Sequence, residues 1–119
     1  MELFEILPQV TMPRSDDNSE IITVYRGING TNPGAFRVDP DGVSTFEIPP
    51  PGFAFIVAFR VRYDRPKVQG KEGFLIDPEL QGGTATYTPQ HGGEGHWSLN
   101  FPGNSTEEIK KLLSEFAKK

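Results

Sequence analysis

Between Phe53 and Tyr63 the chain alternates. Phe53, Phe55, Val57, Phe59, Val61 and Tyr63 share one face, and Ala54, Ile56, Ala58, Arg60 and Arg62 share the other. A period of two is that of a strand, so this segment predicts a strand whose first face is core and whose second starts buried and ends in solvent or a cleft. Ile21-Ile22-Thr23-Val24-Tyr25, rich in β-branched residues, predicts a buried strand with Arg26 at its C-terminal end, closed by Gly27 and Asn29-Gly30. Ser44 to Ile48 reads as a short strand halted by Pro49-Pro50-Pro51-Gly52, because consecutive prolines cannot donate to a ladder. A weak strand follows at Phe74-Leu75-Ile76 and another at Thr84 to Thr88. From His96 to Phe101, Trp97, Leu99 and Phe101 point one way, which leaves His96, Ser98 and Asn100 on the polar face.

The pattern changes period once, near the C-terminus. Ser105-Thr106-Glu107-Glu108 is a capping box, and Ile109, Leu112, Leu113 and Phe116 recur at helical spacing, so one amphipathic helix packs on the sheet. At the other end, Leu3, Phe4, Ile6 and Leu7 form an apolar patch suited to docking. The stretch from Met12 to Ser19 has no periodicity and predicts a mobile loop.

Composition sharpens this picture. A chain of 119 residues makes one domain, 1–119, in which 1–19 form an N-terminal segment and 20–119 the sheet core and helix. Thirteen Gly and eleven Pro point to many turns and short strands, and nine Phe with three Tyr and one Trp supply much of the core area. The absence of Cys excludes a disulfide framework, a thiolate metal site and a cysteine nucleophile. A net charge of −4 argues against a nucleic-acid partner. The longest apolar run falls well short of the ~20 residues of a spanning helix, and Glu2 and Glu5 stand where a cationic leader would be, so neither a membrane anchor nor a Sec signal is expected.

Three segments set a polar side chain among sheet-forming residues: Tyr25-Arg26-Gly27, Gly42-Val43-Ser44-Thr45-Phe46-Glu47 and Gly95-His96-Trp97-Ser98-Leu99. Arg26 could clamp a phosphate or carboxylate bidentately, or form a structural ion pair at a strand end. Ser44 could hydrogen-bond a ribose or carboxamide, or serve only its turn. His96 suits proton transfer or ligand contact, with a surface imidazole as the plain alternative. His91 and His96 alone are too few ligands for a metal. Glu94, in a glycine-rich loop, could oppose a developing positive charge or simply be solvated. Neither a phosphate loop, a nucleophile elbow nor a His-Glu-x-x-His pair occurs.

The order of these segments, Tyr-Arg-Gly, then Gly-x-Ser-x-Phe-acid, then Gly-His-aromatic ahead of a C-terminal helix, resembles the Tse-type toxins of bacterial type VI secretion over about residues 20 to 118. The resemblance implies an α+β fold, a small antiparallel split-sheet domain like that of ADP-ribosyltransferases, with NAD bound in a cleft between two short sheets. It implies that Arg26 contacts the dinucleotide phosphate or ribose, with Tyr25 and Gly27 beside it. Ser44 and Thr45 would line the nicotinamide pocket, and His96 would face the same cleft. Such enzymes break the nicotinamide bond towards an oxocarbenium ion that a carboxylate stabilises. The usual late Glu-x-Glu or Gln-x-Glu has no plain match; the nearest carboxylate is Glu94. The resemblance also implies an intracellular macromolecular target, a cognate immunity protein, and a cytoplasmic protein delivered into a target cell without a Sec signal.

Two rival readings stand beside it. One is a small ribonuclease toxin with His96 or His91 as general acid or base and Arg26 on the phosphorane, against which the net acidity counts. The other is a non-catalytic module that docks a protein on the cleft or on the exposed face of the Phe53–Tyr63 strand.

Overall fold

The computed structural model describes residues 18–119. The apolar patch Leu3, Phe4, Ile6 and Leu7 and most of the aperiodic loop after it lie outside the described residues. Strand β1 (Ser19–Ile28) pairs antiparallel with β3 (Phe55–Asp64) over the whole length of both, from Ser19↔Asp64 to Ile28↔Phe55. Strands β4 (Glu72–Leu75), β5 (Thr84–Tyr87) and β6 (His96–Asn100) follow as neighbours. The short β2 (Val43–Phe46) inserts between β6 and β1, and the order β1-β2-β6-β5-β4-β3 closes on itself.

This closed antiparallel barrel, mostly β with one substantial helix among the described residues, overturns the expected α+β split sheet. A split sheet needs two separate ladders with a cleft between them. Here β2 pairs with β6 through four residue pairs and with β1 through Tyr25↔Phe46, so the ring is unbroken. Its interior is filled: Val24, Phe59, Val61, Ala85, Trp97 and Leu99 are fully buried. A ring of six strands leaves room for side chains and little else.

The two faces of each strand follow from register. Directly opposed residues in an antiparallel pair share a face, so Val57, Phe59, Val61 and Tyr63 point inward with Val24, Thr45, Trp97 and Leu99. The expected core positions Phe53 and Phe55 are instead 44% and 49% exposed. Phe55 opposes the last residue of β1, and Phe53 lies beyond the ladder, with its ring against Gly27. The opposite face, expected to start buried, is exposed at Ala54, Ile56 and Ala58.

Helix α2 (Thr106–Ala117) begins at the expected capping box, with Ser105 Oγ accepting from the Glu108 N–H and Glu108 accepting from the Ser105 N–H. It buries Ile109 and Leu113 and stacks Phe116 on Phe59 at 5.5 Å, joining the helix to the core at the end of the barrel where β1 finishes. A single turn, α1 (Pro89–Gly92), joins β5 to β6 where a glycine-rich loop is predicted. Among the described residues no helix is long and apolar enough to cross a membrane.

Candidate functional site

Arg26, Ser44 and His96 lie on β1, β2 and β6, three consecutive staves of the barrel. Only one registered pair joins β1 to β2, against ten for β1 and β3. Arg26 adds a link at this thin seam: its Nη1 donates to the Ser44 carbonyl at 3.1 Å. The guanidinium is partly buried, which pushes its pKa down, while Asp39 pulls it up and Arg37 pushes it down again. It stays cationic. Its Nε is buried with no hydrogen-bond partner.

Ser44 opposes Ser98, and Phe46 opposes His96, so these four side chains share the outer wall of β2 and β6. From this wall Ser44 Oγ hydrogen-bonds diagonally to His96 Nε2. On the far side of the ring, His96 Nδ1 lies 3.0 Å from the Thr88 carbonyl oxygen and 2.8 Å from Thr88 Oγ1. A carbonyl can only accept, so Nδ1 carries the proton and the Nε2 lone pair accepts from the Ser44 hydroxyl. Thr88 Oγ1 also contacts Ser98 Oγ at 2.8 Å, which fixes the threonine side chain in turn.

Although it stands on the outer wall, His96 is 3% exposed, because α1 folds over it. Gly92 makes that approach possible: a Cβ there would sit 2.4 Å from His96 Cδ2. Burial pushes the imidazole pKa down, and the Thr88 backbone and Asp41 oppose this while His91 adds to it. The ring is therefore neutral at pH 7. His91 itself is half exposed and pairs with Asp41 at 3.5 Å.

Glu94 is exposed and lines a hollow of about 450 Å³ with Phe46, Pro49, Pro50, Pro51 and Lys67. The Phe46 ring meets the His96 ring edge-on at 5.0 Å, so the hollow adjoins the Ser44–His96 pair. Tyr25, opposite Phe46, stands on the same wall. Three other residues expected at a ligand are turned elsewhere: Arg26 opposes Val57 and shares its inward face, reaching Ser44 only at the backbone carbonyl. Thr45 is fully buried and donates to the Trp97 carbonyl at 2.9 Å, and Gly27 is buried, with the Phe53 ring where its Cβ would be.

A second polar group closes the interior at the other end. Glu47 Oε2 accepts from Trp97 Nε1 and from Lys67 Nζ, each at 2.8 Å, and Lys67 Nζ lies 5.3 Å from the centroid of the Tyr87 ring. Among the described residues no cluster of three or more His, Asp or Glu could hold a metal ion.

Sequence reasoning did not single out Thr88 as a partner of His96. The signal was the alternation Thr84, Thr86, Thr88, which puts a hydroxyl at the end of the stave beside His96. Lys67, in a stretch without periodicity, gave no signal at all. The chain matches no protein-family model, no curated protein and no solved structure.

Proposed function

We propose that this chain is a toxin-like domain that binds NAD in the hollow beside the outer wall of β2 and β6 and transfers its ADP-ribose to an intracellular target. The observation that supports it is the Ser44–His96 pair on the outer wall beside the hollow that Glu94 lines, with Arg26 bonded to the Ser44 carbonyl from the inward side. NAD is here the substrate. Arg26, which shares the inward face of Val57, holds the Ser44 backbone, and Lys67 on the hollow is the cation suited to a pyrophosphate oxygen. The apolar walls from Phe46 and the three prolines suit a flat ring such as nicotinamide. When the glycosidic bond to nicotinamide breaks, positive charge develops on the ribose, and Glu94 is the carboxylate available to oppose it. A cell that makes such a protein would need a cognate immunity protein to hold it in check.

The ribonuclease reading is weaker on this geometry. His96 is covered by α1, out of reach of a polymer, and the exposed His91 is tied to Asp41.

Calorimetric titration with NAD and an assay of nicotinamide release test the proposal. Wild type should bind and release nicotinamide, Glu94→Gln should bind without turnover, and Ser44→Ala should lower affinity. Failure of the folded wild-type protein to bind NAD, or turnover unchanged in Arg26→Ala and Ser44→Ala, overturns it.

A further inference from the structure

The group on the outer wall has a property that does not depend on a dinucleotide. Ser44 Oγ, His96 Nε2, His96 Nδ1 and the Thr88 carbonyl form a continuous line: a hydroxyl, a base that takes its proton, and an acceptor that holds the base in the right tautomer. A nucleophile within hydrogen-bond reach of a base that a third group orients is the arrangement that activates serine. We propose that Ser44 is an activated nucleophile, with His96 as its general base and Thr88 as the residue that positions His96, and that it takes up the acyl or phosphonyl group of an activated ester.

Three observations carry this beyond a structural hydrogen bond. First, the tautomer is fixed by chemistry: with Nδ1–H spent on Thr88, only the Nε2 lone pair faces Ser44. Second, the base is sheltered while the nucleophile is not. His96 is covered by Gly92 and the rest of α1, whereas Ser44 is partly exposed on the wall. A desolvated imidazole stays neutral and able to accept a proton at pH 7. The titratable side chains whose fields reach it are Asp41, before β2, and His91, on α1; they act in opposite directions. Third, the Arg26 guanidinium on the Ser44 carbonyl holds the nucleophile's backbone in place.

The step balances without any cofactor. Ser44 Oγ forms a bond to the electrophilic phosphorus or carbonyl carbon, and the leaving group departs with the electron pair of its bond. The Ser44 proton passes to His96 Nε2, giving an imidazolium whose Nδ1–H remains on Thr88. His96 then returns to its neutral form by giving up the Nε2 proton to solvent or the leaving group.

The test uses the chain with a fluorophosphonate probe, where fluoride is the leaving group, followed by intact mass and peptide mapping. No dinucleotide is present, so the outcome is independent of NAD binding. The expected result is one adduct, on Ser44, none in Ser44→Ala, and a rate about 100-fold lower in His96→Gln, as for loss of a general base. Thr88→Val keeps the carbonyl but loses Oγ1, and should slow labelling while moving its pH profile. If His96→Gln fails to fold, the wild-type profile decides: labelling should rise with pH through a group titrating below an ordinary histidine. Absence of an adduct on wild-type Ser44, labelling equally fast in a folded His96→Gln, or a wild-type profile without that rise overturns the proposal.

Discussion

Trp97 Nε1 donates to Glu47 Oε2 at 2.8 Å, and the indole that makes this bond is fully buried between the rings of Tyr63 and Tyr87. The buried tryptophan is thus satisfied by the side chain that directly follows its neighbouring stave β2, and the same carboxylate holds Lys67.

Removing that carboxylate strands a buried donor. Glu47→Ala should destabilise the chain by about 1–3 kcal/mol, the cost of leaving a buried N–H unpaired, whereas Glu47→Gln, which keeps an acceptor, should lose less. Urea denaturation followed by the emission of the only tryptophan measures both.

Tyr63 should titrate late. Its phenol is pushed up to about 12 by burial first and by its 2.7 Å hydrogen bond to Glu20 second. A group whose folded pKa is raised contributes stability that is complete below its unfolded value, near 10, and is lost as pH rises towards 12. Absorbance of tyrosinate against pH should show a late-titrating phenol that Tyr63→Phe removes, and Glu20→Gln should bring it only part of the way back.

His96 sets the opposite limit. Burial holds its pKa below the ordinary 6.5, so the unfolded chain binds the proton more readily than the native one. Stability from this group is complete above about 6.5 and falls as pH drops towards the folded pKa. Thermal melts between pH 7 and 5 should show a decline that His96→Gln reduces.

Gly92→Ala should disturb the site more than its size suggests. The new methyl would meet the His96 ring at 2.4 Å, so either α1 lifts or the imidazole turns away from Ser44. A cost of about 1–3 kcal/mol is expected for such overpacking, together with altered nitrogen shifts of the His96 ring by NMR. Gly34→Ala, which meets nothing within 4 Å, is the control.

Much of this was legible in local patterns. The alternation around Val57 to Tyr63 marks a strand, Trp97 and Leu99 lie inside with His96 outside, and Ser105 to Glu108 cap a helix, because each depends on neighbours in the chain. Barrel closure was not legible, since it depends on β2 lying between β1 and β6 and no residue in Val43–Phe46 announces that choice. Phe53 and Phe55 mislead for a related reason: their alternation is perfect, but the barrel ends before it does. At the site, the types of Ser44 and His96 pointed to chemistry and the register brought them together, whereas it turned Arg26 inward, opposite Val57. Thr45 was misplaced because a strand sends adjacent residues to opposite faces, so it cannot share the wall of Ser44.

Although the strands form a hoop, β1 meets β2 through one registered pair and β3 meets β4 through two, so among the described residues long stretches of β1 and β3 have a ladder partner on one side only. Strand-to-strand pairing with an extended segment of another protein or a second copy is therefore confined to those two stretches. Elsewhere on the hoop recognition belongs to side chains and loops, which a few substitutions can alter without touching the hydrogen bonds that hold the fold.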